Sequence, residues 1–278
     1  MEYNHIEKGI SERNSRHLDE QVQHELLAKN IRRKSKIMLF FHGNAEDLGI
    51  AYKVLNSMKT HLKITILAVE YSGYGLFAGQ KSAESVLDDS LMVYDYLTND
   101  LGVAPKDVIL FGRSIGSSPS CYIAKERPDV GCMILMSPFK SLRDVAKDRV
   151  GKLLSYLLAD RYRNVDLIEH TKCPVMIIHG MADTLIDVSH SFTLKSHCGS
   201  KVCKLITPDD MDHNNFKFQE DLIIPFKQFF KENKIRLHHV EPQTKQLEMP
   251  TELFKIPKSI REYNMKVKKI QFKQNTNS

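Results

Sequence analysis

The chain has 278 residues, of which 42% are hydrophobic and 27% charged, values typical of a globular protein with room for one large α/β domain. No stretch approaches the roughly 18 apolar residues of a membrane-spanning helix. The first residues contain neither an apolar signal core nor the Met-Gly start of a myristoylated protein. We therefore expect a cytoplasmic protein without a transmembrane span.

The five cysteines are unevenly spaced, and no two of them form a Cys-x-x-Cys pair. An odd number without that spacing argues against a disulfide framework and against a zinc site. We expect free thiols in a reducing compartment, and we expect neither a metal nor another cofactor.

The net charge of +6 is concentrated at the C-terminal end. Ten Lys/Arg and four Glu follow Asn233, so this tail alone carries the charge of the whole chain. Three prolines interrupt the tail, which shows no regular pattern for most of its length. We predict a flexible basic tail over 234–278, a domain over 36–233, and a polar segment over 1–35. That first segment contains either a short helix over Asp19–Asn30 or disordered chain.

Six short apolar runs, many of them β-branched, predict strands buried on both faces of a parallel sheet. They are Ile37–Phe41, Ile64–Tyr71, Val108–Phe111, Cys132–Met136, Val175–Ile178 and Val202–Ile206. Amphipathic stretches predict helices at Ser82–Asn99, Leu142–Leu158 and Phe216–Asn233. This alternation predicts a doubly wound α/β fold with a mostly parallel sheet and helices on both faces.

The Gly-x-Ser-x-Gly pattern Gly112–Gly116 comes directly after the strand Val108–Phe111 and precedes small residues that can open a helix. That order of strand, turn and helix is the context of a nucleophile elbow, whose glycines allow a strained serine. The pattern predicts Ser114 as a nucleophile. An ordinary Gly/Ser turn is the alternative, because the pattern alone arises by chance in roughly one chain in ten.

Two further residues follow other strands in the chain order nucleophile, acid, base. Asp183 follows Val175–Ile178, and His213 follows Val202–Ile206. Because the C-terminal ends of parallel strands converge on one crevice, Ser114, Asp183 and His213 can meet there. His213 would accept the Ser114 proton, and Asp183 would orient and stabilise the imidazole.

Two backbone N–H groups are predicted to form an oxyanion hole. One belongs to Ile115, directly after the nucleophile, and the other to Asn44, in the loop after Ile37–Phe41.

Each of these residues also has a plainer interpretation. His213 is one of 12 histidines, and alone it is more often a solvent-exposed loop residue. Asp183 alone can cap a helix that begins near Thr184, and Asp187 is a rival acid. The turn before His213 contains three carboxylates, Asp209, Asp210 and Asp212. A metal site is an alternative for this turn, although neighbouring carboxylates rarely converge on one ion without ligands from elsewhere. The joint order behind successive strands favours the triad.

Five motifs, in this order, resemble one branch of the α/β-hydrolase superfamily. They are Phe41–Gly49, Tyr71–Gly75, Gly112–Gly116, His179–Asp183 and Asp212–Asn214. The branch contains small membrane-associated serine hydrolases that act as protein depalmitoylases, and similar hydrolases described as serine-aminopeptidase-like. The resemblance covers about residues 36–232 and implies an α/β-hydrolase fold with a short cap. It implies the nucleophile, acid and base named above, with Asn44 and Ile115 at the oxyanion.

The chain also departs from that branch. The depalmitoylases anchor through an N-terminal cysteine cluster, whereas the first cysteine here is Cys121. Family members place two or three strands before the His-Gly-Asn strand, but only 36 residues precede it here, so N-terminal strands are expected to be missing. Lys140–Lys172 is either a short lid beside an acyl pocket or an ordinary helix that covers the sheet.

We therefore expect a serine hydrolase that cleaves a carboxylic ester or thioester through an acyl-enzyme. An acylated protein is the first expected substrate, and a lipid or other small ester is the second. The alternative is a non-catalytic α/β-hydrolase scaffold that binds a partner through its basic tail, which an intact triad disfavours.

In the tail, apolar residues between Tyr263 and Phe272 are interleaved with lysines. The tail is either solvated and disordered, or bound to an anionic membrane surface, where each Lys or Arg contributes roughly 1 kcal/mol. A third alternative is a strand that pairs with a bare sheet edge. Nucleic acid is not expected, because residues 1–233 are neutral overall and no known binding fold is recognisable. The expected location is cytoplasmic, with peripheral membrane contact under the second of these alternatives.

Overall fold

A computed structural model describes residues 36–151 and 160–237 of the chain. The predicted helix at 19–30, the second half of the predicted helix at 142–158 and nearly all of the basic tail lie outside the described residues.

Six parallel strands form one sheet in the order β2-β1-β3-β4-β5-β6. Their bounds are β1 Ile37–Phe41, β2 Thr65–Val69, β3 Val108–Arg113, β4 Cys132–Met136, β5 Val175–Ile178 and β6 Cys203–Ile206. Phe41 lies opposite Gly112, and Gly112 lies opposite Leu135, so β1, β3 and β4 end at nearly the same level. The loops that follow these strands therefore meet at one edge, and the predicted parallel α/β architecture is confirmed.

The described α-helices cover both faces of this sheet. Their bounds are α1 Leu48–Leu62, α2 Ala83–Asp95, α3 Ser117–Glu126, α4 Leu142–Val150, α5 Asn164–Ile168, α6 Ser189–His197 and α7 Ile224–Glu232. Alternate residues of β1 point to opposite faces, as in any strand. Leu39 packs in the layer that contains α2, α3, α5 and α6, whereas Phe40 packs in the layer that contains α1 and α7.

Three predicted helices differ from the observed ones. The helix that begins at Leu142 ends at Val150, because Gly151 adopts a φ of 82° that breaks the helical path. The other two include π turns, at Tyr96–Asp100 after α2 and at Phe218–Ile223 before α7. In the described part of the chain, no helix is long and apolar enough to cross a bilayer.

Candidate active site

Ser114 lies at the sharp turn between β3 and α3. Its φ of 53° is in the left-handed region, which costs a non-glycine residue about 1–3 kcal/mol. A 3₁₀ turn over Ser114–Gly116 leads directly into the N-terminus of α3. A Cβ on Gly116 would lie 2.1 Å from the Phe41 carbonyl oxygen, so glycine allows the elbow to pack against the end of β1. This is the backbone geometry of a nucleophile elbow.

Three loops bring Ser114, Asp183 and His213 together. His213 Nε2 lies 3.1 Å from Ser114 Oγ, and His213 Nδ1 lies 2.8 Å from Asp183 Oδ2. Each of the three residues is 9% exposed or less. Because an ionised carboxylate only accepts hydrogen bonds, Nδ1 carries the imidazole proton and Nε2 accepts from the serine hydroxyl. The nitrogen that faces Ser114 is therefore able to take up a proton.

Four hydrogen-bond donors surround the Asp183 carboxylate. Oδ1 accepts from the N–H groups of Leu185 and Ile186, both at 2.9 Å, while Oδ2 lies 3.3 Å from His179 Nε2 and accepts from His213. Burial acts to raise the pKa of the Asp183 carboxyl, but hydrogen bonds from His179, His213 and Ile186 hold this pKa well below its usual range. Asp183 is consequently ionised at neutral pH and can balance a charged imidazole.

Asp187, the rival acid, lies apart from His213. Its exposed carboxylate accepts from the Ser189 N–H at 2.9 Å, and the Ser189 hydrogen bonds lower the pKa of Asp187. The alternative role for Asp183, as the cap of a helix that begins near Thr184, is not observed: α6 begins at Ser189, and the Asp183 carboxylate closes a turn at Leu185 and Ile186. The side chain that contacts the imidazole is Asp183.

The acidic turn before His213 does not converge on a metal site. Asp210 pairs with Lys217 Nζ at 2.9 Å, and Asp212 accepts from the N–H groups of Asn214 and Asn215, both at 2.7 Å. Among the described residues, no three His, Cys, Asp or Glu side chains are grouped closely enough to hold a metal ion.

The loop after β1 is held by hydrogen bonds from buried side chains. His42 is fully buried; its Nδ1 donates to the Gly43 carbonyl at 2.8 Å, and its Nε2 lies 2.8 Å from Glu70 Oε1. The Tyr74 hydroxyl donates to Asn44 Oδ1 at 2.7 Å. These bonds hold the backbone around Asn44 in place before any substrate arrives.

The two predicted oxyanion donors lie on adjacent elements. Ile115 follows Ser114 in the turn into α3. The Phe41 carbonyl, at the end of the strand before the Asn44 loop, packs against Gly116 in the same turn. The Gly43 N–H donates to Glu46 Oε2 at 2.7 Å and is not available to a substrate. On this loop the Asn44 N–H is therefore the better candidate donor.

His42 and His179 carry no predicted role, although both lie at the site and are fully buried. A sequence signal exists for them, since each directly follows a buried strand at the edge where Ser114 lies. Glu46, Glu70 and Arg113 also contact the site. Glu70 directly follows β2, and Glu46 and Arg113 lie within two of the five motifs, but no role is predicted for any of these three.

The chain has relatives among known proteins. No family model matches it. The human Alpha/beta hydrolase domain-containing protein 17B is 32% identical over 200 residues, which are 72% of this chain and 68% of that protein. The chain belongs to the α/β hydrolase domain-containing protein family. This confirms the resemblance that the five motifs indicated.

Further relatives match a smaller share of their own length. The protein aho-3 of Caenorhabditis elegans is 33% identical to this α/β hydrolase domain-containing protein over 171 residues, 62% of this chain and 50% of the worm protein. Protein 17C of Xenopus laevis is 32% identical over 192 residues, 69% of this chain and 60% of the frog protein. The chain thus spans between half and three fifths of these two relatives.

Solved structures share the fold of this α/β hydrolase domain-containing protein. Est1E from Butyrivibrio proteoclasticus superposes with a TM-score of 0.59 at 18% identity, over 73% of this chain and 91% of Est1E. The Pyrococcus furiosus esterase Pf2001 gives a TM-score of 0.58 at 18% identity, over 72% of this chain and 81% of that one. Together with the six-stranded parallel sheet, these likenesses confirm the predicted α/β-hydrolase fold.

Proposed function

We propose that this chain is a serine hydrolase that cleaves carboxylic esters or thioesters through an acyl-enzyme. The observation that carries the proposal is the buried series Ser114 Oγ, His213 imidazole and Asp183 carboxylate, joined at 3.1 and 2.8 Å. Membership of the α/β hydrolase domain-containing protein family supports it.

In the first half of the proposed reaction, Ser114 Oγ attacks the acyl carbonyl carbon. His213 Nε2 takes the hydroxyl proton as the new C–O bond forms, and ionised Asp183 stabilises the imidazolium. The N–H groups of Ile115 and Asn44 would bind the oxyanion, aided by the N-terminal dipole of α3. His213 then returns its proton to the departing alcohol or thiol, which leaves the acyl group on Ser114.

In the second half, water replaces the leaving group. His213 Nε2 removes a proton from the water as its oxygen attacks the acyl carbonyl, and the second tetrahedral intermediate uses the same two N–H groups. Collapse of this intermediate breaks the bond to Ser114 Oγ, which recovers its proton from His213. The products are the free acid and the unchanged enzyme.

A fatty-acyl thioester on a protein is the first substrate class that we propose, and a lipid or other small ester is the second. Large apolar side chains support this choice, because they are exposed on the loops that carry Asp183 and Tyr74 and at the start of α4. They are Leu76, Phe77, Leu142, Met181 and Leu185. An acyl chain beside the triad would cover such side chains and remove apolar surface from water.

A fluorophosphonate probe tests the proposal. The wild type should be labelled and Ser114→Ala should not, while Ser118→Ala, which removes another buried hydroxyl on the next helix, should label like the wild type. Activity should then be measured on esters and thioesters of increasing acyl chain length. Equal labelling of wild type and Ser114→Ala would end the serine-hydrolase proposal, and a preference for short esters would favour the second substrate class.

A further inference from the structure

Arg113 connects the two loops that flank the nucleophile. Its Nη1 lies 2.6 Å from Glu46 Oε1 on the loop after β1, and its Nη2 donates at 2.8 Å to both the His213 carbonyl and Asn214 Oδ1. We propose that the Arg113–Glu46 pair is a positioning element that fixes the oxyanion loop relative to the base loop. The inference rests on the proposed function.

The Glu46 carboxylate shapes the oxyanion loop directly. One oxygen binds Arg113, while the other accepts the Gly43 N–H at 2.7 Å. A Cβ on Gly43 would lie 2.8 Å from that second oxygen and 3.1 Å from Arg113 Nη1, so the ion pair lies directly against the backbone of the loop. The pair therefore orients the peptide unit that precedes the Asn44 N–H.

On the other side, Arg113 holds the backbone of the base itself. The guanidinium reaches the carbonyl of His213 and the side chain of the next residue, Asn214. The side chains of Arg113 and Glu46 are only 13% and 20% exposed, so water screens their attraction incompletely. A planar guanidinium fork can bind acceptors on two loops at once, whereas a lysine ammonium acts as a point charge on a flexible stem.

The charges of Arg113 and Glu46 predict how the activities of the single and double variants rank. Glu46 binds the N–H one residue before the Asn44 donor, so an uncompensated carboxylate there would repel the developing oxyanion. Removal of Arg113 breaks its contacts and also leaves that carboxylate unpaired. Removal of the Glu46 charge breaks contacts and leaves the Arg113 guanidinium, a cation that attracts a developing oxyanion. The double variant should therefore be faster than the Arg113 variant alone, an order that a loss of packing does not produce.

The test uses the full chain and a p-nitrophenyl ester, with kcat and KM measured separately. Arg113→Met should lower kcat about 10²-fold, similar to the loss of one oxyanion donor, while Glu46→Gln should lower kcat about tenfold. Glu46→Gln combined with Arg113→Met should fall between the two, and KM should change about twofold or less in all three. Arg113→Lys keeps the charge and should resemble Glu46→Gln.

Arg127→Met is the matched control. It breaks a pair of the same kind, Arg127 with Asp95 at 2.6 Å between α2 and α3, and should keep the kcat of the wild type. Two results would overturn the proposal. In the first, Arg113→Met and Glu46→Gln each have the same kcat as the control Arg127→Met. In the second, the double variant is as slow as Arg113→Met alone. If Arg113→Met does not fold, the kcat values of Glu46→Gln and Arg113→Lys are compared with that of Arg127→Met instead, and equal values would overturn the proposal. Failure of the proposed function is distinct, since Ser114→Ala would then label like the wild type.

Discussion

His179 Nε2 lies 3.3 Å from Asp183 Oδ2, the same oxygen that accepts a hydrogen bond from His213. The same Nε2 lies 2.8 Å from the Ile186 carbonyl, and His179 Nδ1 lies 2.6 Å from Ser191 Oγ. Because a carbonyl only accepts, Nε2 carries a proton, and Nδ1 forms a hydrogen bond with the Ser191 hydroxyl. A fully buried second imidazole therefore lies against the acid beside His213.

We predict that His179→Leu lowers kcat roughly 10- to 100-fold. The Nε2 proton of His179 is shared between the Ile186 carbonyl at 2.8 Å and Asp183 Oδ2 at 3.3 Å. A hydrogen bond to a charged group contributes about 1.5–3 kcal/mol, and the loss of this shared proton leaves Asp183 less firmly oriented towards His213. His179→Gln retains an amide donor and should lose less. Steady-state kinetics of both variants, together with their urea midpoints, separate this role from a loss of folding. Equal kcat values for the wild type and His179→Leu would exclude a role of His179 in the orientation of Asp183.

Stability at acidic pH should depend on Asp183. Its folded-state pKa is lowered from the ordinary value of 3.8, so its contribution to stability is present above that value and is lost as pH falls towards the folded pKa. Asp183→Asn lacks this contribution. The gap in free energy of unfolding between wild type and Asp183→Asn should therefore be widest near neutral pH and should narrow on acidification. Urea unfolding at several pH values measures it, and a gap independent of pH would contradict the expectation.

Replacement of Asp183 or Asp187 by asparagine should change kcat by very different amounts. Asp183→Asn should lower kcat by a factor on the order of 10⁴, the serine-protease precedent, because the imidazole adopts the wrong tautomer. Asp187→Asn should change kcat little, since its carboxylate only accepts the Ser189 N–H at the start of α6. Single-turnover hydrolysis of a p-nitrophenyl ester compares the two. The reverse order would assign the acid to Asp187.

The Asn44 side chain should matter less than the Ser114 hydroxyl. The proposed donor is the Asn44 N–H, and the side chain accepts from the Tyr74 hydroxyl at 2.7 Å, a contact that steadies the loop. Asn44→Ala and Tyr74→Phe remove the same hydrogen bond, so we expect similar losses of about tenfold in kcat, far below the loss in Ser114→Ala. Steady-state hydrolysis of a p-nitrophenyl ester measures kcat in each variant. Inactivity of Asn44→Ala as complete as that of Ser114→Ala would mean that the Asn44 side chain itself binds the oxyanion.

The basic tail is proposed to contact anionic membranes. In the full chain, reversal of its last four lysines to Glu should abolish salt-sensitive sedimentation with vesicles that contain phosphatidylserine. These lysines are Lys266, Lys268, Lys269 and Lys273. A matched control reverses four exposed lysines of the domain, namely Lys53, Lys59, Lys172 and Lys195, and should sediment like the wild type. Equal sedimentation of the tail variant and the wild type would contradict the proposal.

The strands and the residues of the candidate triad both have local signals in the sequence. Val175–Ile178 is apolar at every position, and Asp183 follows it within five residues. Helix α1 also has a readable signal: Ala51, Leu55, Met58 and Leu62 recur at helical spacing, and Asp47 caps the first turn. This helix is absent from the sequence-based prediction. A search for apolar stripes behind every cap residue would have included it.

Other features have no local signal. Helix α6 buries two polar residues, His190 and Ser191, and a single large apolar one, Leu194, so its hydropathy does not alternate like that of an amphipathic helix. Arg113 and Glu46 each lie within one of the five motifs, but they are 67 positions apart, and neither motif indicates that the two side chains form a pair. Such long-range pairs depend on the tertiary fold, which a single sequence does not show residue by residue.

The order of strands in the sheet affects when the protein acquires activity. The residues that would react follow β3, β5 and β6, and β6 lies at the edge of the described sheet, paired only with β5 among the described strands. A nascent chain that has emerged from the ribosome only as far as residue 200 contains Ser114 and Asp183 but lacks His213, the proposed base. An unfinished copy would therefore be unable to hydrolyse the esters around it. Catalysis would begin only when the last strand has paired, so a measurement of hydrolysis during synthesis would also report that the sheet is complete.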